Sequence, residues 1–142
     1  DFKDEKIVTP YRTKYVRFAL STNEWYASRD VYYIIKKKQN VSLKYIIALL
    51  NSKLYYAWFY YRGKRKGDIL EVYAKPLKEV PIIEISESKQ KPFISAVEKI
   101  ISKKEMNPLD DTSVLENEID LMVYELYGLS NHEIEIIEEL CV

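Results

Sequence analysis

The longest apolar stretch of the sequence, residues 43–61, constrains the fold more than any other feature. Its apolar side chains recur every three or four positions, at Leu43, Ile46, Ile47, Leu50, Leu54, Ala57 and Trp58. This spacing predicts a single amphipathic helix that faces a core over residues 43–62, with Ser42 as the N-cap and Gly63 at its end. Two lysines and an asparagine interrupt the stretch, so we do not expect it to span a membrane.

Short runs rich in β-branched and aromatic residues on both sides of this helix predict strands. Before it lie KIVTPY, YVRFAL and WYASRDVYYIIKKK, the last with a hairpin or bulged turn at residues 28–30. After it, DILEVYAK predicts another strand. The segment PLKEVPIIEI contains Pro76 and Pro81, which limit ladder hydrogen bonds, so we expect an edge strand or an extended crossover there.

The rest of the chain predicts helices. The segment KPFISAVEKIISKKE predicts one with Pro92 in its first turn. The next, SVLENEIDLMVYELYGL, runs from a capping box at Ser113 and Glu116 to a Schellman-type end at Gly128, and a second capping box begins the last helix at Ser130. The element order predicts an α+β fold, in which a small mixed or antiparallel sheet lobe with a central amphipathic helix is followed by a C-terminal helical hairpin.

The basic and acidic side chains are equal in number, 22 of each, but they are separated along the chain. Residues 1–78 hold 17 Lys and Arg against 7 Asp and Glu, a net charge of +10, whereas the remainder has a net charge of −10. The basic part also holds 11 of the 13 tyrosines. We therefore predict a basic lobe at residues 1–88 and an acidic helical subdomain at residues 89–142. A basic, aromatic-rich lobe is typical of nucleic-acid binding.

The densest group of positive charges lies in YYRGKRKGD, directly after the predicted central helix. Its glycines let a loop backbone approach a phosphate ladder closely. The predicted DNA-binding residues are Arg62, Lys64, Arg65, Lys66, Arg29, Arg12, Lys14, Lys36, Lys37, Lys38 and Lys75. Lysine suits phosphate contacts, whereas Arg29, Arg62 or Arg65 could meet guanine and Asn40 could meet adenine. A solvated, solubility-promoting loop is the alternative, and it is favoured for Lys36–Lys38 taken alone.

Residues for catalysis or metal binding are scarce in this sequence. His132 is the single histidine and is expected at the surface of a helix, while the acidic residues of 110–139 recur at the spacing of a solvated helix face. Cys141 is also single, which allows neither a disulfide framework nor a zinc site and favours a reducing, cytoplasmic setting. Three glycines in total exclude a glycine-rich phosphate loop. We predict no catalytic, cofactor-binding or metal-binding residue in the chain.

Three segments in order, KIVTPYRTKYVRFALSTNEWYASRDVYYIIKK, SLKYIIALLNSKLYYAWFYYRGKRKG and LEVYAKPLKEVPI, resemble the TaqI-like C-terminal specificity domain. This domain recognises the target in adenine-specific DNA methyltransferases and in single-chain type IIG restriction–modification enzymes. The tail LENEIDLMVYELYGLSNHEIEIIEE is similar to the end of many such polypeptides, so the resemblance extends over residues 6–140. The sequence begins with Asp rather than Met, and we interpret it as part of a longer chain.

The resemblance implies a division of labour. A methyltransferase domain of the same polypeptide would bind S-adenosylmethionine and flip the adenine, with Mg²⁺ as a second candidate cofactor if the parent also cuts DNA. This part would recognise double-stranded DNA without catalytic residues of its own. The alternatives are a specificity subunit of a multi-subunit restriction system, a protein–protein interaction module and an RNA-binding domain.

Overall fold

The computed structural model describes residues 6–10, 12–13, 18–21, 31–35, 40–62, 64–66, 69–71 and 78–141. The strands in this part of the chain are β1 Lys6–Pro10, β2 Arg12–Thr13, β3 Ala19–Ser21, β4 Val31–Ile35, β5 Lys64–Lys66 and β6 Ile69–Glu71. The helices are α1 Leu43–Leu50, α2 Lys53–Arg62, α3 Glu87–Met106, α4 Ser113–Leu126 and α5 Asn131–Leu140. None of these helices is both long and apolar enough to cross a membrane.

The six strands form two small antiparallel sheets. In the first, β1 lies between β3 and β4, with Ile7 opposite Leu20 on one side and Ile34 on the other. In the second, β6 lies between β2 and β5. Helices α3 and α4 pack on α1, and α5 packs on α2. The α+β prediction is therefore confirmed. The hairpin predicted at residues 28–30 lies outside the described residues.

The single central helix predicted for residues 43–62 is wrong, because the chain leaves the regular helix at Asn51 and Ser52. The Asn51 side chain accepts a hydrogen bond from the Phe18 N–H at 2.8 Å and donates one to the Phe18 C=O at 2.9 Å, as a neighbouring strand would. The Ser52 N–H bonds to the C=O of Leu49 instead of continuing the i−4 pattern. The bonds between Asn51 and Phe18, together with the Ser52 bond, divide the helix into α1 and α2.

The helix termini follow the sequence prediction at some ends and depart from it at others. The capping box at Ser130 is present, and Gly128 has φ +63° with the two backbone bonds of a Schellman motif. The box predicted at Ser113 is wrong, since the N-cap is Thr112 and the Ser113 N–H bonds to the Asp111 carboxylate. Helix α3 begins at Glu87, so Pro92 lies inside the helix and not in its first turn.

A continuous hydrophobic core joins the basic lobe to the acidic helices. It contains Ile7, Leu49 and Phe59 from the N-terminal half together with Phe93 and Val123 from α3 and α4. The boundary predicted between residues 88 and 89 falls within the first turn of α3. The division into two subdomains stays a prediction.

Residues 80–86 connect the lobe to α3 without joining a sheet. Of the two alternatives predicted for PLKEVPIIEI, this part of the segment therefore supports an extended crossover and not an edge strand. Tyrosine hydroxyls hold the crossover. Tyr45 donates to the Ile83 C=O at 2.7 Å, and Tyr55 donates to the Pro81 C=O at 2.5 Å. Burial raises the pKa of both phenols above its ordinary value, so they remain neutral donors.

A polar cluster ties the start of α2 to the two C-terminal helices. The Asp120 carboxylate accepts the Lys53 N–H at 2.9 Å, which caps α2 from α4. The Lys53 ammonium pairs with Glu138 at 2.6 Å, and the Tyr124 hydroxyl donates to Glu138 at 2.9 Å. Asp120 is only 6 % exposed, so the prediction of a solvated acidic face fails at this residue. Burial raises the pKa of Asp120, whereas the Lys53 hydrogen bond lowers the pKa of Glu138.

Replacing Asp120 with Asn is expected to change how stability depends on pH. A carboxyl whose folded-state pKa is raised stabilises most below its unfolded pKa of about 4, and that contribution is lost as pH rises through the folded pKa. Asn keeps the oxygen acceptor without the charge. The free energy of unfolding of D120N minus that of wild type, measured by urea denaturation, should therefore increase between about pH 3 and pH 7.

Asp111→Asn is the matched control for this measurement, because the Ser113 backbone hydrogen bond lowers the pKa of the exposed Asp111. Its stabilising contribution is present above the unfolded pKa and lost as pH falls, so the difference between D111N and wild type should decrease with pH. Parallel pH curves for D120N and wild type would contradict the assignment of a buried charge to Asp120.

Candidate nucleic-acid interface

The second sheet brings together basic residues that are far apart in sequence. Arg12 lies in β2 and Lys64–Lys66 form β5, on opposite sides of β6. Arg12 and Lys64 both have Glu71 as their Cα partner, so the three residues form one row across the sheet. Four of the predicted DNA-binding residues therefore share a single three-stranded sheet.

The flexible basic loop predicted after the central helix is wrong for Lys64, Arg65 and Lys66. These residues pair in antiparallel register with Glu71, Leu70 and Ile69 of β6. Pairing with β6 fixes the backbone of this basic segment more firmly than a loop would. Gly63 and Gly67 lie outside the described residues.

Arg62 is the last residue of α2 and is exposed to solvent. Its guanidinium carbon lies over the indole of Trp58, 5.6 Å from the ring centroid, within the range of a cation–π interaction. Trp58 and Arg62 are four residues apart, the spacing at which helix side chains meet. A positive charge in the last turn also compensates the partial negative charge at the helix C-terminus.

The tyrosines of α1 and α2 divide by burial. Tyr45 and Tyr55 are buried, whereas Tyr56 and Tyr60 are half-buried. Tyr61 is 72 % exposed, with its ring edge-on to Tyr60 at 5.2 Å. An exposed aromatic side chain therefore lies directly beside Arg62.

Several predicted residues cannot be placed in this interface. Arg29, Lys14, Lys36, Lys37, Lys38 and Lys75 lie outside the described residues and stay predictions. Asn40 is described and exposed, and its C=O accepts a hydrogen bond from the buried Gln90 side chain. The apolar spacing of the sequence indicates only a core position for Trp58, and its separation of four residues from Arg62 is the signal for the pairing.

The acidic helices show no arrangement for metal or nucleophilic chemistry within the described residues. No group of three or more His, Cys, Asp or Glu side chains there could hold a metal ion. His132 is exposed, as predicted. Cys141 is half-buried, and burial raises the pKa of its thiol to about 11, so it remains protonated at neutral pH.

Comparison with known proteins connects this geometry to a family. The profile of the TaqI-like C-terminal specificity domain matches residues 2–82, which include the basic sheet and all of α1 and α2. The chain belongs to this family. The likeness predicted from the sequence is confirmed, and the family match supports it as far as residue 82.

Two curated methyltransferases are similar to this TaqI-like specificity domain. They are the type II methyltransferases M.HincII and M.HindII, both of Haemophilus influenzae. Each is 36 % identical to the chain over 106 residues, which cover 69 % of the chain. The chain spans about a fifth of the length of these relatives, 21 % and 20 % respectively.

Proposed function

We propose that this chain recognises a DNA target sequence for an adenine-specific DNA methyltransferase of a restriction–modification system, and that it is not catalytic by itself. The observation that carries the proposal is the family match over residues 2–82, since that range contains the basic sheet and the exposed end of α2. In specificity domains the sequence is distinguished by contacts to base edges, and phosphate contacts set the position on the duplex.

The same proposal assigns the chemistry to another part of a longer polypeptide. Both relatives are named methyltransferases and are about five times as long as the region they share with this chain. A methyltransferase domain of that polypeptide would bind S-adenosylmethionine and act on the flipped adenine. We further propose a type IIG arrangement, in which the same polypeptide would also carry an endonuclease activity that uses Mg²⁺. A cytoplasmic location follows from this function.

Binding of a labelled DNA duplex at several salt concentrations tests the proposal. We expect the logarithm of the association constant to fall linearly with the logarithm of salt concentration between about 50 and 200 mM, with a slope of about −0.9 for each neutralised phosphate. Fluorescence anisotropy with a pool of random duplexes measures this slope without knowledge of the target.

Three outcomes would count against the proposal. Absence of duplex binding at low salt, or a slope near zero, would favour a protein–protein interaction module. Tighter binding to RNA of the same sequence pool would favour an RNA-binding domain.

A further inference from the structure

We propose that Arg62, held over Trp58, forms a contact to the major-groove edge of a guanine, and that Trp58 is its positioning residue. The inference rests on the proposed DNA-recognition function. It goes further by naming guanine as the ligand of one side chain, Arg62. We assign Lys64 and Lys66 of β5 to DNA phosphates. Neighbouring residues would then have different roles, with Arg62 contacting a base and the two lysines contacting the DNA backbone.

The indole that holds Arg62 is itself fixed to the core. Trp58 packs edge-on against Phe59, with ring centroids 5.2 Å apart and an interplanar angle of 88°. Phe59 has no solvent exposure and contacts Phe18 at 5.6 Å. The three rings form a continuous row from the core to the exposed guanidinium. A side chain that specifies a base needs such support, because an error of about 1 Å breaks a bidentate hydrogen bond.

The contact with Trp58 leaves donors of the Arg62 guanidinium for a further partner, because a guanidinium carries five N–H groups. The cation–π interaction uses the face of the indole, whereas the N–H donors of arginine lie in the guanidinium plane and point outward from it. Among the side chains that the structure describes, no carboxylate lies at ion-pair distance from Arg62. Two parallel N–H groups match the O6 and N7 acceptors of guanine, the commonest specific contact of arginine in the major groove.

Exposure at the end of α2 permits a nucleic acid to approach. Arg62 and Tyr61 are both exposed, and β5 begins two residues after Arg62. The end of α2 is therefore followed at once by the basic strand β5, and direct recognition combines contacts to bases with contacts to phosphates. Lysine at the position of Arg62 would keep the charge and lose the planar pair of donors.

Selection from random duplexes followed by binding measurements tests the assignment. Wild type should enrich duplexes with a guanine at one fixed position. Arg62→Lys should reduce discrimination at that position by about 5- to 150-fold while leaving the salt slope unchanged, because the charge is retained. Arg65→Lys is the matched control, with the same chemical change in β5, and it should keep the guanine preference.

A modified base identifies the contacted atom. Replacing the selected guanine with 7-deazaguanine removes the N7 acceptor, which should weaken binding by wild type at least about 5-fold and leave Arg62→Ala, which has no side-chain donor, unaffected. Equal weakening of both proteins would overturn the contact. So would a guanine preference that survives Arg62→Lys or is lost in Arg65→Lys instead.

The positioning role of Trp58 has its own readout. Trp58→Leu should lose the guanine preference with little change in salt slope, and Trp58→Phe, which retains an aromatic face, should recover most of it. If circular dichroism shows that Trp58→Leu is unfolded, the role of Trp58 is tested by comparing the guanine preference of Trp58→Phe with those of wild type and Arg62→Lys. A Phe variant that is folded and behaves like Arg62→Lys would contradict a role for the aromatic face.

Failure of wild type to bind any duplex would instead refute the proposed function.

Discussion

Replacing Arg62, Lys64, Arg65 and Lys66 together with alanine is expected to weaken duplex binding by about a hundred- to a thousandfold near 100 mM salt. Each phosphate contact contributes about 0.9 to the salt slope, so removing the three charges of Lys64, Arg65 and Lys66 should reduce its magnitude by up to about 2.7. The loss of the Arg62 base contact adds to the weakening without altering the slope. Anisotropy titrations at four or more salt concentrations separate the two effects.

A control variant removes the same number of charges elsewhere. Lys89, Lys91, Lys99 and Lys103 are exposed on α3, outside the family match, and their replacement with alanine keeps good helix formers. This variant should bind duplex DNA with a slope close to that of wild type. Equal effects of the two quadruple variants would show that affinity depends on net charge alone, and would return residues 62–66 to a solubility role.

The sequence predicted element types well where one physical pattern dominates. The amphipathic periods of α3, α4 and α5 and the Schellman glycine at Gly128 were sufficient because each depends on local interactions. The break at Asn51 depends on a long-range contact, since its side chain bonds to the backbone of Phe18. Helical periodicity continues across the break, so periodicity alone could not locate it.

The candidate interface shows the same limit. Charge density made residues 62–66 candidates for DNA binding, and the resemblance to a family suggested that function. The pairing of β2 and β5 with β6 could not be predicted, because the register of short strands depends on tertiary context. Glycines on either side of a basic run favoured a loop, whereas pairing with Ile69–Glu71 supplies the ladder that makes Lys64–Lys66 a strand.

Burial of Asp120 could not be predicted for a related reason. Its neighbours Glu116 and Glu118 are exposed, and an acidic helix with such spacing normally faces solvent throughout. Asp120 faces the start of α2, where the Lys53 N–H has no partner within its own helix. The need for an acceptor at that point arises only after Asn51 and Ser52 have ended α1.

Phe59→Ala is expected to produce the largest loss of stability among the single substitutions considered, about 3–5 kcal/mol in the free energy of unfolding. Phe59 has no solvent exposure and lies between the rings of Phe18 and Trp58. Its removal loses buried apolar area and leaves a cavity that the surrounding helices fill only in part. Urea denaturation followed by circular dichroism measures the change.

Tyr61→Ala is the matched control, since Tyr61 is two residues along the same helix and 72 % exposed. Its free energy of unfolding should change by no more than about 0.5 kcal/mol. A loss for Phe59→Ala below about 1 kcal/mol would mean that the row of rings from Phe18 to Trp58 is loosely packed. In that case Trp58 could not hold Arg62 in one position, and the guanine contact would lose its structural basis. The proposed guanine contact therefore depends on the packing of one buried side chain.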